Sequence, residues 1–209
     1  MFDSLLAIKP LVLLGVFTVI FMLERLWPCV PRSVSGLEDW RRMGRNMALW
    51  GINSIASLAI IIPVSVFATA HHLWDRNILA IDPSIWLLFD ILLLDFFTYW
   101  WHRFNHEIAF LWRFHRVHHH DKFLDVTSAV RFHFGEVILS AIMRAIVIMA
   151  CGLPIESVLI YEIILLLSSF FQHSNMRLNR HLEKALSFVI VTPAWHWMHH
   201  HAVRADTDS

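Results

Sequence analysis

The feature that most constrains this chain is a set of long, uninterrupted apolar runs. The first occupies residues 5–27, and at about 1.5 Å per helical residue it is long enough to cross about 30 Å of hydrocarbon. Hydrophobic residues make up 57% of the 209 residues and charged residues only 16%, against about 45–50% and about 25% in soluble domains. The sequence therefore predicts an integral-membrane protein, and its length suits a single domain over residues 1–209.

Later apolar runs predict an all-α bundle of about four transmembrane or re-entrant helices. They occupy residues 47–70, 85–101, 137–150 and 155–171. Pro63 is expected to break the second run, and Arg144 and Glu162 are expected to pair across the hairpin formed by the last two. Residues 32–45 contain four arginines, which is typical of a cytoplasmic loop. The resulting topology predicts a cytoplasmic, histidine-rich helical cap, with an amphipathic piece over residues 182–191 at the interface.

Charge and cysteine content exclude several classes of function. The formal net charge is zero, so there is no electrostatic case for a nucleic-acid partner. Cys29 and Cys151 are far apart and lie beside or inside apolar runs, which predicts neither a disulfide framework nor a thiolate metal site. The compact chain and its lack of a retention signal favour a bacterial inner membrane over the endoplasmic reticulum.

Histidine is unusually abundant, with 15 residues, and most of them are clustered. His102 and His106 are four positions apart, which places them on one helix face about 6 Å from each other. Two later segments, beginning at His115 and His196, share the pattern H-x-x-H-H. In this pattern the first and second histidines are expected to share a face while the third points about 100° away. One such segment could therefore supply ligands to two metal ions.

The number of clustered imidazoles indicates how many ions are bound. Eight or nine neutral nitrogen ligands exceed what one ion needs, since zinc takes about four and iron up to about six. The sequence therefore predicts two ions. Imidazole suits iron, zinc and copper alike, so the ligand type leaves the metal open.

The histidine motifs resemble those of the fatty acid hydroxylase and sterol desaturase superfamily over roughly residues 90–205. The resemblance rests on Asp95-x-x-x-Tyr99-Trp100-x-His102-Arg103-x-x-x-His106, His115-x-x-His118-His119, His173-Ser174-Asn175 and Pro193-x-x-His196-x-x-His199-His200. It implies that nine histidines bind the metal ions: His102, His106, His115, His118, His119, His173, His196, His199 and His200.

The same resemblance implies the chemistry. It predicts a non-haem di-iron enzyme that uses O2 as co-substrate to hydroxylate or desaturate a C–H bond of a lipid, of the sterol or fatty acyl class. Zinc is a possible metal in purified protein, and no catalytic residue beyond the metal centre is expected. The chain has no glycine fingerprint for flavin or nicotinamide and no haem-attachment motif. Electrons are therefore expected from an external donor, such as a reductase, a ferredoxin or a haem carrier.

Five polar residues are expected to support the metal ligands. They are Asp95, Tyr99, His133, Glu136 and Asn175. Asp95 and Tyr99 share a helix face with the first histidine pair, and Asp95 is predicted to accept a hydrogen bond from a metal-bound imidazole. His133 and Glu136 lie in a segment that resembles a further family element, and Asn175 either orients a ligand or caps the hairpin.

Two other functions remain open from the sequence. One is a membrane metal transporter or sensor, and the other is a zinc-dependent lipid hydrolase in which the ion activates water. Family members usually continue beyond the last histidine motif, whereas this chain ends with Asp206-Thr207-Asp208-Ser209. A C-terminal truncation that leaves the metal ligands in place is therefore expected.

Overall fold

The computed structural model describes residues 2–32 and 36–201, and the regular elements of this part are helices. The α-helices are α1 (Phe2–Leu26), α2 (Gly36–Ala56), α3 (Ile62–Ala70), α4 (Pro83–Glu107), α5 (Ala109–His119), α6 (Phe134–Cys151), α7 (Ile155–His173), α8 (Arg180–Leu186) and α9 (Pro193–His199). Shorter helical turns lie at Ser57–Ile61, Arg76–Ile78 and Val126–Val130. The expected truncation concerns residues 206–209, which lie outside the described residues.

Five helical segments of the described chain are long and apolar enough to cross a membrane. They are Ser4–Leu26, Gly36–Ala70, Pro83–Glu107, Phe134–Cys151 and Ile155–His173. Many of their apolar side chains face outward, such as Leu11, which is 70% exposed, and Leu58, which is 71% exposed. Lipid solvates such surfaces, while the helices satisfy their own backbone hydrogen bonds. The predicted all-α, integral-membrane bundle is confirmed.

The second membrane segment continues past Pro63 instead of breaking there. Ser57–Ile61 form a π-helical turn, and Pro63 lies in the first turn of α3. Proline has no N–H to donate, and its ring crowds the carbonyl group one turn earlier. The wider π turn accommodates this local change in hydrogen bonding, so α2 and α3 form one membrane-crossing unit.

The predicted loop over residues 32–45 is wrong in part, because α2 already begins at Gly36. Arg42 does not mark a solvated loop; its side chain is 2% exposed and is surrounded by carboxylates. These are Asp39 at 3.1 Å, Asp121 at 3.0 Å and Asp125. A buried arginine is tolerated when it is paired in this way, so the helix extends through a stretch that composition alone suggested was solvated.

Successive membrane segments run in opposite directions, which gives the bundle two distinct ends. The cap end carries α5, α8 and α9, and the far end is formed by residues 71–82 and 152–154. At the far end Asp90 accepts two hydrogen bonds from Arg76, at 3.0 and 2.7 Å, and one from Ser157 at 2.7 Å. The predicted ligand histidines all lie in or next to the last turns of helices at the cap end.

Three charged side chains inside the membrane region pair with one another. Arg144 of α6 and Glu162 of α7 form the predicted ion pair. The second carboxylate oxygen of Glu162 accepts from Lys9 of α1 at 2.5 Å, a partner that the sequence analysis did not identify. One carboxylate therefore links three helices, which is the usual environment for charges at this depth.

Glu24, near the end of α1, fixes two loops of the cap end. Its Oε2 accepts the backbone N–H groups of Val126 at 3.0 Å and Asn175 at 3.1 Å. The Asn175 side chain closes the same junction through two hydrogen bonds with the Val30 backbone, each 2.9 Å long. Val126 follows α5 and Asn175 follows α7, so α1 holds both histidine-bearing elements in place.

Candidate metal centre

Eight histidine side chains converge at the cap end in two groups of four. The first cluster is His102, His106, His119 and His199, and the second cluster is His118, His173, His196 and His200. Within each cluster the candidate ligand nitrogens all lie within 4.8 Å of one another. The clusters are adjacent, because the stacked rings of His119 and His200 have centroids 4.3 Å apart.

The two H-x-x-H-H segments each divide their histidines between the clusters. In α9, His196 belongs with His200 in the second cluster, and the intervening His199 belongs to the first. In α5, the neighbours His118 and His119 likewise separate. The first and second histidines of α9, which were expected to share a helix face, therefore belong to different clusters. Residues four apart differ by about 40° around a helix and residues three apart by about 60° in the opposite sense, so the closer pair stays together.

The spacing of the nitrogens fits metal ligation. His196 Nε2 lies 2.9 Å from His173 Nε2 and 3.1 Å from His200 Nε2. In the first cluster, the Nε2 atoms of His102 and His199 are 2.9 Å apart. Two nitrogens bound side by side at about 2.0–2.1 Å from one ion are separated by about 3 Å. Converging lone pairs are costly in a buried site, and a cation between them removes that cost.

A hydrogen bond at Nδ1 of His173 determines which of its two ring nitrogens carries the proton. His173 Nδ1 lies 2.8 Å from the carbonyl oxygen of Ser169, one turn earlier in α7. Nδ1 therefore carries the proton and donates it, which leaves Nε2 with the lone pair that a metal needs. The role of Ser169 could not be predicted from the sequence, because any residue at that position supplies the same carbonyl group.

His115, the ninth predicted ligand, lies beside the first cluster. Its ring centroid is 4.8 Å from that of His102 and 4.9 Å from those of His106 and His119. Its Nδ1 is 2.7 Å from Glu136 Oε1, while its Nε2 is buried with no hydrogen-bond partner in the described part of the chain. A carboxylate on the outer nitrogen and an unpartnered inner nitrogen are typical of a metal-bound histidine.

Replacing Glu136 by alanine is expected to lower the metal affinity of the first cluster by about 10- to 100-fold, because His115 loses the group that orients its ring. Metal competition with a chelator measures this change. The control is Glu38→Ala, which removes an exposed carboxylate that pairs with Lys122 at the cap surface. Equal metal affinity in the two variants would show that the hydrogen bond to His115 does not orient a ligand.

Burial keeps these imidazoles neutral. Desolvation lowers the pKa of His118, His119, His196 and His200 below the ordinary value of 6.5, and the neighbouring imidazoles lower each pKa further. Neutral imidazole is the form that binds a metal ion. The environment of the clusters thus favours the ligating state.

The lowered pKa values predict the pH dependence of the metal-free protein. Below about pH 6.5 the histidines of the unfolded chain bind protons, whereas the buried histidines of the folded chain stay neutral. The free energy of unfolding therefore falls as the pH falls. Denaturant unfolding of metal-free protein between about pH 7.5 and about pH 5.5, above the usual carboxyl range, measures this trend. Unchanged stability across that window would contradict the expected burial of neutral imidazoles.

Asp95 and Tyr99 have contacts with residues other than the predicted ligands. Tyr99 is 56% exposed, and its hydroxyl lies 3.5 Å from a guanidinium nitrogen of Arg103. Asp95, also exposed, lies beside Tyr161 of α7. Both residues share the predicted helix phase with the first histidine pair, and Asp95 lies at the level where α4 contacts α7. The support of a ligand by Asp95 therefore stays a prediction.

His133 and Asn175 also have other partners. His133 is the N-cap of α6, where its Nδ1 accepts from the backbone N–H of Gly135 at 3.0 Å. The Asn175 side chain forms two hydrogen bonds with the Val30 backbone, which join the loops that follow α1 and α7, a role that was not among the two predicted ones. Of the five predicted supporting residues, Glu136 contacts a predicted ligand directly.

Aromatic rings that the sequence analysis did not single out pack against the histidines. Phe132 stacks on His118 with centroids 4.3 Å apart and planes 9° from parallel. Trp112 lies 5.4 Å from His106 and 5.5 Å from His119. Because Trp112 lies one helical turn before a predicted ligand, its contact with the histidines could have been predicted from the sequence. The contact of Phe132 could not, because Phe132 lies in an irregular segment.

Comparison with known proteins adds an independent line of support. The model of the fatty acid hydroxylase family matches residues 87–207. The chain is 25% identical over 168 residues to ornithine lipid hydroxylase OlsE of Rhizobium tropici, covering 75% of this chain and 47% of that protein. It is 30% identical over 127 residues to alkylglycerol monooxygenase of Xenopus tropicalis, covering 61% of this chain and 26% of that protein.

The chain spans less than half of the length of each of these relatives. No solved structure matches the chain. The family match itself covers more than half of the present sequence and includes all nine predicted ligand histidines.

Proposed function

This chain belongs to the fatty acid hydroxylase family, and we propose that it is a di-iron, O2-dependent oxidoreductase that hydroxylates a C–H bond of a membrane lipid. Its relatives are named as a lipid hydroxylase and a monooxygenase, which supports hydroxylation over desaturation. Neither name refers to a sterol, so we place the substrate among lipids that carry an acyl or alkyl chain.

The observation that carries this proposal is the pair of adjacent, all-histidine clusters at one end of an apolar bundle. Nitrogen ligands without thiolates suit a non-haem iron pair. We assign four histidines to the second ion, and to the first ion the other four plus His115. When bound, the iron ions would supply the activation of O2 that an unreactive C–H bond requires.

The residues of the chain then have defined tasks. The buried imidazoles supply neutral ligands, Glu136 holds His115 in one orientation, and the Ser169 carbonyl group does the same for His173. The packing of Phe132 and Trp112 against the rings limits the access of water. Because His102, His106 and His173 lie near the ends of membrane helices α4 and α7, a lipid would reach the clusters without leaving the bilayer.

We further propose that the cap end faces the cytoplasm of a bacterial cell and receives electrons from a separate donor protein. Exposed arginines at this end support that orientation; they are Arg41, Arg45, Arg113 and Arg116. The absence of a flavin, nicotinamide or haem motif in this sequence supports an external donor.

The test is turnover of a lipid extract by protein loaded with either Fe(II) or Zn(II). We expect a product with one added oxygen atom from isotopically labelled O2, formed only with iron and only with a reductant. Chelation of the iron should abolish this product, and adding iron back should restore it. Lipid cleavage by zinc-loaded protein without O2 would instead identify a hydrolase, and metal binding without any lipid product would contradict the proposal.

A further inference from the structure

The segment between α7 and α9 has an exposed apolar surface that no other part of the described chain covers. Residues 177–191 connect Met176, whose backbone bridges to Pro28, with the buried Thr192. No residue of α8 within this segment is buried. After α8, four consecutive apolar residues face outward: Phe188 is 80% exposed, Val189 84%, Ile190 43% and Val191 49%. The surface of a soluble protein rarely carries such an exposed apolar run. A run of this kind therefore indicates contact with a partner or with a membrane.

The position of this segment identifies the bilayer as a neighbour. α1 and α7 both end at the cap end, at Leu26 and His173, so the membrane surface lies at this level. Trp27 is 65% exposed and Trp195 is 53% exposed. Trp27 precedes Pro28, which bridges to Met176 at the start of the segment, and Trp195 follows the segment in the chain. Tryptophan is enriched where helices leave the hydrocarbon region. The apolar run is therefore continuous with the lipid-facing surface of the bundle.

The charges of the segment favour anionic headgroups. Arg177, Arg180 and Lys184 are exposed, and Glu183 is the single acidic residue between positions 177 and 191. None of the three cations forms an ion pair within the described part of the chain. Basic side chains next to an exposed apolar run are the features of an element that lies in the interface of an anionic membrane.

We propose that residues 177–191 form a membrane-surface anchor. Phe188–Val191 insert among the acyl chains of the leaflet at the cap end, and Arg177, Arg180 and Lys184 bind its anionic headgroups. Pro193 begins α9 two residues after the anchor ends, so binding to the bilayer restrains the helix that carries His196 and His199. This inference depends on the membrane-embedded fold and not on the reaction proposed above.

The first experiment locates the apolar run relative to lipid. A cysteine replaces Val189 in a full-length chain that carries Cys29→Ser and Cys151→Ser, and it is labelled with an environment-sensitive fluorophore. The labelled protein is placed in bilayers of phosphatidylcholine and phosphatidylglycerol. A matched label at Lys122, which is exposed at the cap surface and outside the segment, is the control.

We expect nitroxides on the lipid tails to quench the label at position 189 several-fold more strongly than the label at position 122. Iodide in the aqueous phase should show the opposite preference. Free access of iodide to position 189 would overturn the proposal. Protection from iodide without quenching by lipid-tail nitroxides would also overturn it, because protein would then cover the run.

The second experiment tests the headgroup contact. In the parent protein we expect stronger quenching at position 189 when phosphatidylglycerol is present than in phosphatidylcholine alone. The variant Arg180→Glu/Lys184→Glu should lose this dependence, whereas the charge reversal Arg113→Glu, on the exposed face of α5, should retain it. The same dependence on phosphatidylglycerol in both variants would overturn the assignment of the basic residues to lipid binding.

Discussion

Replacing His118 by alanine is expected to remove the second ion and to abolish lipid hydroxylation. His118 Nε2 lies 3.1 Å from His173 Nε2, and the His118 ring is 2% exposed. Alanine supplies no ligand and leaves a cavity beside Phe132 that water can enter. Removing a side chain that only hydrogen-bonds to a metal ligand lowers metal affinity or activity by about 10- to 100-fold. Removing the ligand itself should lower both by a larger factor. Elemental analysis and product formation from a lipid extract measure the two effects.

The control uses histidines that lie far from the clusters. His71 and His72 are exposed at the far end of the bundle, and alanine at either position should leave metal content and product formation unchanged. Unfolding curves of the variants show whether any loss of activity reflects loss of the fold. If His118→Ala kept both ions and full hydroxylation, the assignment of the second cluster as a metal site would be wrong.

The largest loss of stability is expected from Arg42→Met. Arg42 is 2% exposed and pairs with Asp121 and Asp125, whose side chains are 1% and 0% exposed. Removal of the guanidinium group leaves buried carboxylates without their cation, and breaking a buried pair in this way costs about 3–5 kcal/mol. Because this network holds the segment that follows α5, we expect metal content to fall together with stability.

Arg41 provides a matched control, because it is the preceding residue of the same helix and is exposed. Arg41→Met should change the free energy of unfolding by less than about 0.5 kcal/mol, as for most surface substitutions. Adding Asp125→Asn to Arg42→Met should restore part of the lost stability, since one uncompensated charge disappears. Denaturant unfolding in detergent measures all three variants. Equal stability of Arg42→Met and Arg41→Met would show that the buried network contributes little.

The helical fold was predictable because long apolar runs leave few alternatives in a bilayer, where the backbone must satisfy its own hydrogen bonds. The nine histidines were identified by spacing and by resemblance, and eight of them converge in the two clusters, with His115 beside the first. The spacing of residues along a helix predicts on which face of that helix each side chain lies. It does not predict which other helix packs against that face.

That difference is seen at Asp95 and His133. Asp95 has the phase of the first histidine pair but lies beside Tyr161 of α7, and His133 caps a helix whose start the sequence did not indicate. The division of α9 between two clusters depends on how α9 packs against α7, a contact between distant parts of the chain. Two of the carboxylates around Arg42, those of Asp121 and Asp125, are likewise separated from it by 79 and 83 positions. Contacts of this kind cannot be read from a single sequence.

The alternation of histidines between the clusters ties the two proposed metal sites to the same helices. α5 and α9 each contribute histidines to both clusters, so a shift of either helix would change the geometry of both sites at once. The two proposed sites would therefore be coupled through the position of α5 and α9, and a substitution that displaces one of these helices should lower the affinity of both sites for metal.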